Sequence, residues 1–211
     1  MKARVLRVDG AWEFTPDQHA DDRGVFLEWY RADEVAVAVG HPLALVQAST
    51  SVSRRGTLRG IHFADVPPSQ AKYVYCPYGS LLDVVVDIRV GSPTFGQSEA
   101  VLLDEVDRRA VYVAEGLGHA ILALTDRSVV TYLLSTGYAP AREHGITPLD
   151  PELALPWPAD VEPLLSPRDA AAPTLAAALE AGLLPAYEDC VNLYAQLNSG
   201  DPSPGPVTGP A

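Results

Sequence analysis

Two histidines stand in settings that suggest work on protons. His62 ends the run Leu58-Arg59-Gly60-Ile61-His62, with Gly56 six positions before it. His119 ends Gly116-Leu117-Gly118-His119, behind the apolar stretch Ala110 to Val113. Taken alone, His62 would more often be structural than reactive. A divalent ion would need a third imidazole or a carboxylate beside this pair. Close to His62, position 64 is Ala and no Glu occurs among residues 65–70. These residues therefore predict a site without a metal, whose imidazoles are free to move protons.

Short strands must carry these rings. Nineteen prolines and sixteen glycines cut the chain into brief segments. Strand-like segments run from Ala44 to Val52, Ala71 to Cys76, Ser80 to Arg89, Glu99 to Leu103, Arg109 to Val113 and Ser128 to Ser135. Within the third, Asp83, Val85 and Asp87 share a face at strand spacing. The two acids read either as surface carboxylates or, for Asp83, as a partner of His119. Turn signals recur about every ten residues and long amphipathic helices are absent from the first 160, so this part reads as an antiparallel sandwich or small barrel. Beyond Trp157-Pro158 the pattern turns helical. Ser166-Pro167-Arg168-Asp169 resembles a helix start, and helices are expected over Thr174 to Leu183 and Tyr187 to Leu197. The whole is read as a single domain over residues 1–198, mainly β, with a helical segment from about 166 and a disordered tail at 199–211.

Composition narrows the function classes. A formal net charge of −12 opposes binding to a nucleic-acid backbone, though not to a small phosphate that two or three basic side chains would hold. No apolar run is long enough for a membrane helix. Met1-Lys2-Ala3-Arg4 leads into mixed polar sequence rather than a signal-peptide core, which suggests the cytoplasm. Cys76 and Cys190 are too few for a disulfide framework and are expected as thiols.

The segments around Gly56–His62 and Gly116–His119 resemble the two halves of a cupin, a double-stranded β-helix of the jelly-roll class. Longer runs resemble one family. They are Asp22-Arg23-Gly24-Val25-Phe26-Leu27-Glu28, Leu58-Arg59-Gly60-Ile61-His62-Phe63, Gln70-Ala71-Lys72 and Asp83-Val84-Val85-Val86-Asp87-Ile88-Arg89-Val90-Gly91-Ser92-Pro93-Thr94-Phe95-Gly96. Gly116-Leu117-Gly118-His119-Ala120, Tyr132, Tyr138 and Ser166-Pro167-Arg168-Asp169 follow in order. In order and number these motifs are similar to the dTDP-4-dehydrorhamnose 3,5-epimerases, over about residues 10 to 175.

The resemblance implies a racemase-type enzyme that moves protons beside the C4 ketone of a dTDP-linked 4-keto-6-deoxyhexose, with no cofactor. Inversion there needs a base on one face, an acid on the other and a cation for the enolate. By resemblance His62 is the base, Asp169 orients it, Tyr132 is the acid and Lys72 the cation. Asp83 and His119 look like a supporting pair. Arg23, Arg59, Arg168 and Glu143 would hold the diphosphate and sugar, with Phe26, Glu28 and Gln47 near the nucleotide and Tyr138 along the sugar pocket. Tyr132 would otherwise be plain core. His19, His41 and His144 match no motif and read as surface residues. A homodimer is implied, with the N-terminal strand segment reaching the partner's sheet.

Departures from the family pattern point to a reshaped pocket. Ser49, which the resemblance also places among the substrate-binding residues, stands where Asn is common, Ala64 where Gln is, and Ala71 where Gly is. Ile146-Thr147-Pro148-Leu149 lacks a common Trp. Pro67-Pro68-Ser69-Gln70-Ala71-Lys72 looks closest to the antibiotic deoxysugar branch, whose members invert C3, C5 or both. The rivals are a metal-dependent cupin oxygenase or isomerase and a non-catalytic sugar-nucleotide-binding cupin.

Overall fold

The computed structural model describes residues 1–199. Its first sheet holds, in spatial order, β1 (Lys2–Val5), β2 (Ala11–Thr15), β10 (Ala110–Val113), β7 (Lys72–Tyr78), β12 (Ser128–Leu134) and β5 (Gln47–Ser53). The second holds β13 (Glu143–Gly145), β6 (Leu58–Ala64), β11 (Gly118–Ala123), β8 (Ser80–Val86) and β9 (Ser98–Asp104). β3 (Gln18–Asp21) and β4 (Gly24–Leu27) form a separate hairpin. Every strand ladder is antiparallel. From β5 to β8 and again from β10 to β12 each successive strand crosses to the other sheet, giving the expected cupin-type jelly roll.

Alternating side chains build the core. Val74 of β7 joins Leu81 and Val85 of β8, Val101 and Leu103 of β9 and Ile121 of β11 in one buried cluster. The second sheet's other face is covered too. Ile61, Phe63, Val84, Val86 and Ala120 pack with Ile146, Leu153, Leu175 and Ala178 from the chain beyond the sheets. The C-terminal helices are α2 (Pro167–Ala170), α3 (Leu175–Glu180) and α4 (Tyr187–Ser199). Ser166 and Thr174 cap α2 and α3 by accepting the backbone N–H of Asp169 and Ala177. A short α1 (Ala32–Val39) was not foreseen from the sequence.

Covering both faces of a sheet leaves no surface for its acids. Asp83 and Asp87 are fully buried, which corrects the surface reading. Asp87 accepts bonds from Arg89 Nε at 2.9 Å and Nη2 at 2.7 Å, and from Ser92 Oγ at 2.6 Å. Cys76 and Cys190 are buried free thiols. Burial pushes them up to about 11 and about 12. Among the described residues no helix is long and apolar enough to cross a membrane. The expected tail corrects at Ser199, which closes α4; residues 200–211 lie outside the described residues.

Candidate active site

A cavity of about 270 Å³ opens between the sheets. Arg59, His62, His119 and Ile121 reach it from the second sheet, and Ser51, Lys72, Tyr132 and Leu134 from the first. Arg59 and His62 are three apart, so strict alternation would send them to opposite faces. A bulge prevents this. His62 pairs with His119 and Arg59 with Ile121, so three steps on β6 match two on β11. Gly60 lies in the bulge with φ +114°, and a Cβ there would stand 2.4 Å from the His119 carbonyl oxygen. Only glycine allows the two histidine strands to lie this close.

His62 Nε2 lies 2.7 Å from Asp169 Oδ1. A neutral ring donating Nε2–H to that carboxylate keeps Nδ1 as the basic nitrogen. Asp169 is nearly buried, with its side chain 5% exposed, while the ring is 36% exposed and reachable. Burial alone would raise the Asp169 carboxyl, but the bonds with His62 and Ser166 hold it below the usual range. The anion therefore persists where an imidazolium needs it. A second pair, His119 Nε2 to Asp83 Oδ2 at 2.8 Å, lies deeper, and Asp83 Oδ1 has no hydrogen bond among the described residues.

The facing sheet supplies an acid and a cation. Burial pushes the Tyr132 phenol well above its ordinary value, so it keeps its proton at neutral pH. Burial lowers the Lys72 ammonium to about 8, against the opposing pull of Glu143 and Asp83. Among the described residues no group of three or more His, Cys, Asp or Glu is placed to hold a metal ion.

The remaining expected site residues are not all brought together. Arg59 Nε donates to Ser53 Oγ at 3.3 Å. Gln47 Nε2 donates to Ser49 Oγ at 2.8 Å, and its Oε1 accepts the Tyr138 backbone N–H at 3.0 Å, so this pair holds the segment carrying Tyr138. Tyr138 itself is 64% exposed. Glu143 Oε1 accepts the Ala139 N–H, and Arg168 Nη2 donates to the Glu143 carbonyl oxygen at 2.7 Å, tying α2 to β13 outside the cavity lining. Arg23 and Phe26 lie on the exposed β3–β4 hairpin and Glu28 just beyond it, away from the cavity of their own chain. Arg23 pairs with Asp21, and Glu28 pairs with Arg31 at 3.3 Å. His19 is exposed, as expected. His41 is buried, and His144 is half-buried with Nε2 2.6 Å from Asp65 Oδ1, which corrects two surface assignments. Ser51 escaped the sequence reading. Its signal was the run Gln47, Ser49, Ser51, Ser53, polar at every second position of one strand.

Comparison with known proteins gives this arrangement its relatives. The model of the family described as dTDP-4-dehydrorhamnose 3,5-epimerase matches residues 5–177. A dTDP-4-dehydrorhamnose 3-epimerase of Streptomyces niveus is 56% identical, covering 97% of this chain and 100% of its own. A dTDP-4-dehydrorhamnose 3,5-epimerase of Mycolicibacterium smegmatis is 57% identical, covering 90% of this chain and 94% of its own. The crystal structure of a 3'-monoepimerase from Streptomyces bikiniensis, in complex with dTDP-quinovose, superposes with a TM-score of 0.90 at 50% identity, over 92% of this chain and 98% of that one. On the family model and on these identities, the chain belongs to the dTDP-4-dehydrorhamnose 3,5-epimerase family.

Proposed function

We propose that the chain inverts carbon beside the C4 ketone of a dTDP-linked 4-keto-6-deoxyhexose, in deoxysugar biosynthesis. One observation carries the reading: a base and an acid enter one cavity from opposite sheets, His62 from β6 and Tyr132 from β12. A sugar ring lying between them presents one face to each. His62 takes the hydrogen on C3 or C5, and the electron pair spreads to the C4 oxygen as an enolate. Lys72 offers positive charge to that oxygen, and Asp169 stabilises the imidazolium that forms. Tyr132 then delivers a proton to the other face and the ketone is restored. A 3-epimerase and a 3,5-epimerase stand at nearly equal identity to this chain, so the step common to both is what is proposed.

Two substitutions test the roles. His62→Asn should retain the fold and lose inversion by about a hundredfold or more, the usual cost of losing a general base. Tyr132→Phe should leave hydrogen exchange at carbon while inversion stops, because the base still works. Near wild-type exchange in His62→Asn would contradict the assignment of the base.

The enzyme is further proposed to act in the cytoplasm as a homodimer. Support comes from the β3–β4 hairpin, which leaves Val25 52% and Phe26 67% exposed. It carries the Arg23 and Phe26 that the family resemblance assigns to the nucleotide, yet they do not reach their own cavity. A second copy of the chain would receive them.

A further inference from the structure

The inward face of β5 is a row of polar side chains. Gln47 donates to Ser49 at 2.8 Å, and Ser53 receives Arg59 Nε at 3.3 Å. Ser51, between them, is different. Its Oγ is buried and completes no hydrogen bond among the described residues, although it lines the cavity. A buried hydroxyl left this way is destabilising, so what it faces matters. The β5–β12 ladder sets Ser49 directly opposite Tyr132 and Ser51 opposite Val130, one inward step along the same face. Ser49 already accepts Gln47, whereas Ser51 faces the cavity that Tyr132 also lines, and its hydroxyl favours the ionised phenol against the effect of burial.

We propose that Ser51 is the positioning residue for the proton-donating phenol of Tyr132, donating its Oγ–H to the phenolate oxygen that forms when the proton leaves. This rests on the epimerase reading above and adds a residue to it. In the step concerned, the Tyr132 O–H bond breaks as the new C–H bond forms. The enolate's pair makes that C–H bond, the C4 carbonyl re-forms, and the negative charge passes to the phenol oxygen. That oxygen belongs to a side chain lining the cavity, where the positive charge of Arg59 favours the phenolate and Asp83 acts in the opposite sense. A hydroxyl with a free proton at this point meets the charge as it appears, which is worth more in a water-poor cavity than in solvent. Afterwards the phenolate regains a proton from solvent as product leaves.

The test compares wild type, Ser51→Ala and Ser51→Thr, each as the full chain, with TDP-4-keto-6-deoxyglucose in D2O. Proton NMR follows both exchange at carbon and inversion across a range of pH. Ser51→Ala should lower inversion about tenfold while exchange stays within about twofold of wild type, because His62 is untouched. KM should change little, and Ser51→Thr, which retains a hydroxyl, should restore inversion. Exchange and inversion falling together, no change in either, or a folded threonine variant without rescue would each overturn the proposal. Should the alanine variant fail to fold, Ser51→Cys, near-isosteric with a weak donor, takes its place under the same criteria. Wild type that exchanges nothing would defeat the epimerase reading itself, an outcome distinct from a wild type that epimerises and a Ser51→Ala that does so equally well.

Discussion

The site assigns its residues by environment more than by type. Two imidazoles of the cavity lining each meet a carboxylate, yet His62 is 36% exposed and His119 only 5%. The first is the one open enough to exchange its proton readily with water. Lys72 sits where burial lowers its ammonium to about 8, so its charge is present below that pH and lost above it. If that charge steadies the enolate, kcat/KM should fall about tenfold per pH unit above pH ~8. Lys72→Arg, which cannot deprotonate, should lose this alkaline limb. A pH–rate profile flat to pH 10 in the wild type would remove Lys72 from the chemistry.

At the scale of elements, the histidines depend on one irregularity. The β6 bulge turns Arg59 and His62 to the same side, and Gly60 permits it. Gly60→Ala would press a methyl onto the His119 carbonyl at a backbone angle alanine resists. It should cost about 2 kcal/mol or more and abolish turnover, whereas a wild-type melting temperature with normal activity would show that the bulge is not needed. The same irregularity explains what the sequence concealed. β7, β8, β9, β10 and β12 were legible from their β-branched runs, with ends within a few residues of those observed. β6 and β11 were not, although they carry His62 and His119. β6 breaks its alternation at the bulge, and every residue of β11 is buried because both faces of its sheet are covered, so neither shows a two-residue period. The residues proposed for catalysis were legible through family motifs. Ser51, which belongs to no motif, became visible only once β5 was seen to turn its polar face into the cavity.

The whole molecule holds a titratable group that the chemistry does not use. Glu115 is buried, its Oε2 has no hydrogen bond among the described residues, and burial raises its carboxyl to about 7. α4 closes over this point, where Tyr194 donates its phenol to the Glu115 carbonyl oxygen. In the unfolded chain the carboxyl ionises near 4.5, so the stability from keeping it protonated is full below that pH. It is lost as pH rises to 7. Glu115→Gln should therefore be neutral at pH 4 and stabilise by up to about 3 kcal/mol above pH 7, as read from melts across pH. Equal effects at both ends would show that folding leaves the carboxyl's affinity for its proton unchanged. Assembly is the other property of this scale. Light scattering at micromolar concentration should report twice the 22.5 kDa chain mass, and a stable monomer would refute the dimer.

The central claim is that this cavity takes hydrogen from carbon beside a ketone. The most direct measurement incubates TDP-4-keto-6-deoxyglucose with the wild-type enzyme in D2O and follows the sugar by proton NMR. The account predicts loss of the C3 signal, the C5 signal or both, with deuterium in an inverted product. A substrate that binds yet retains both hydrogens and its configuration would contradict it.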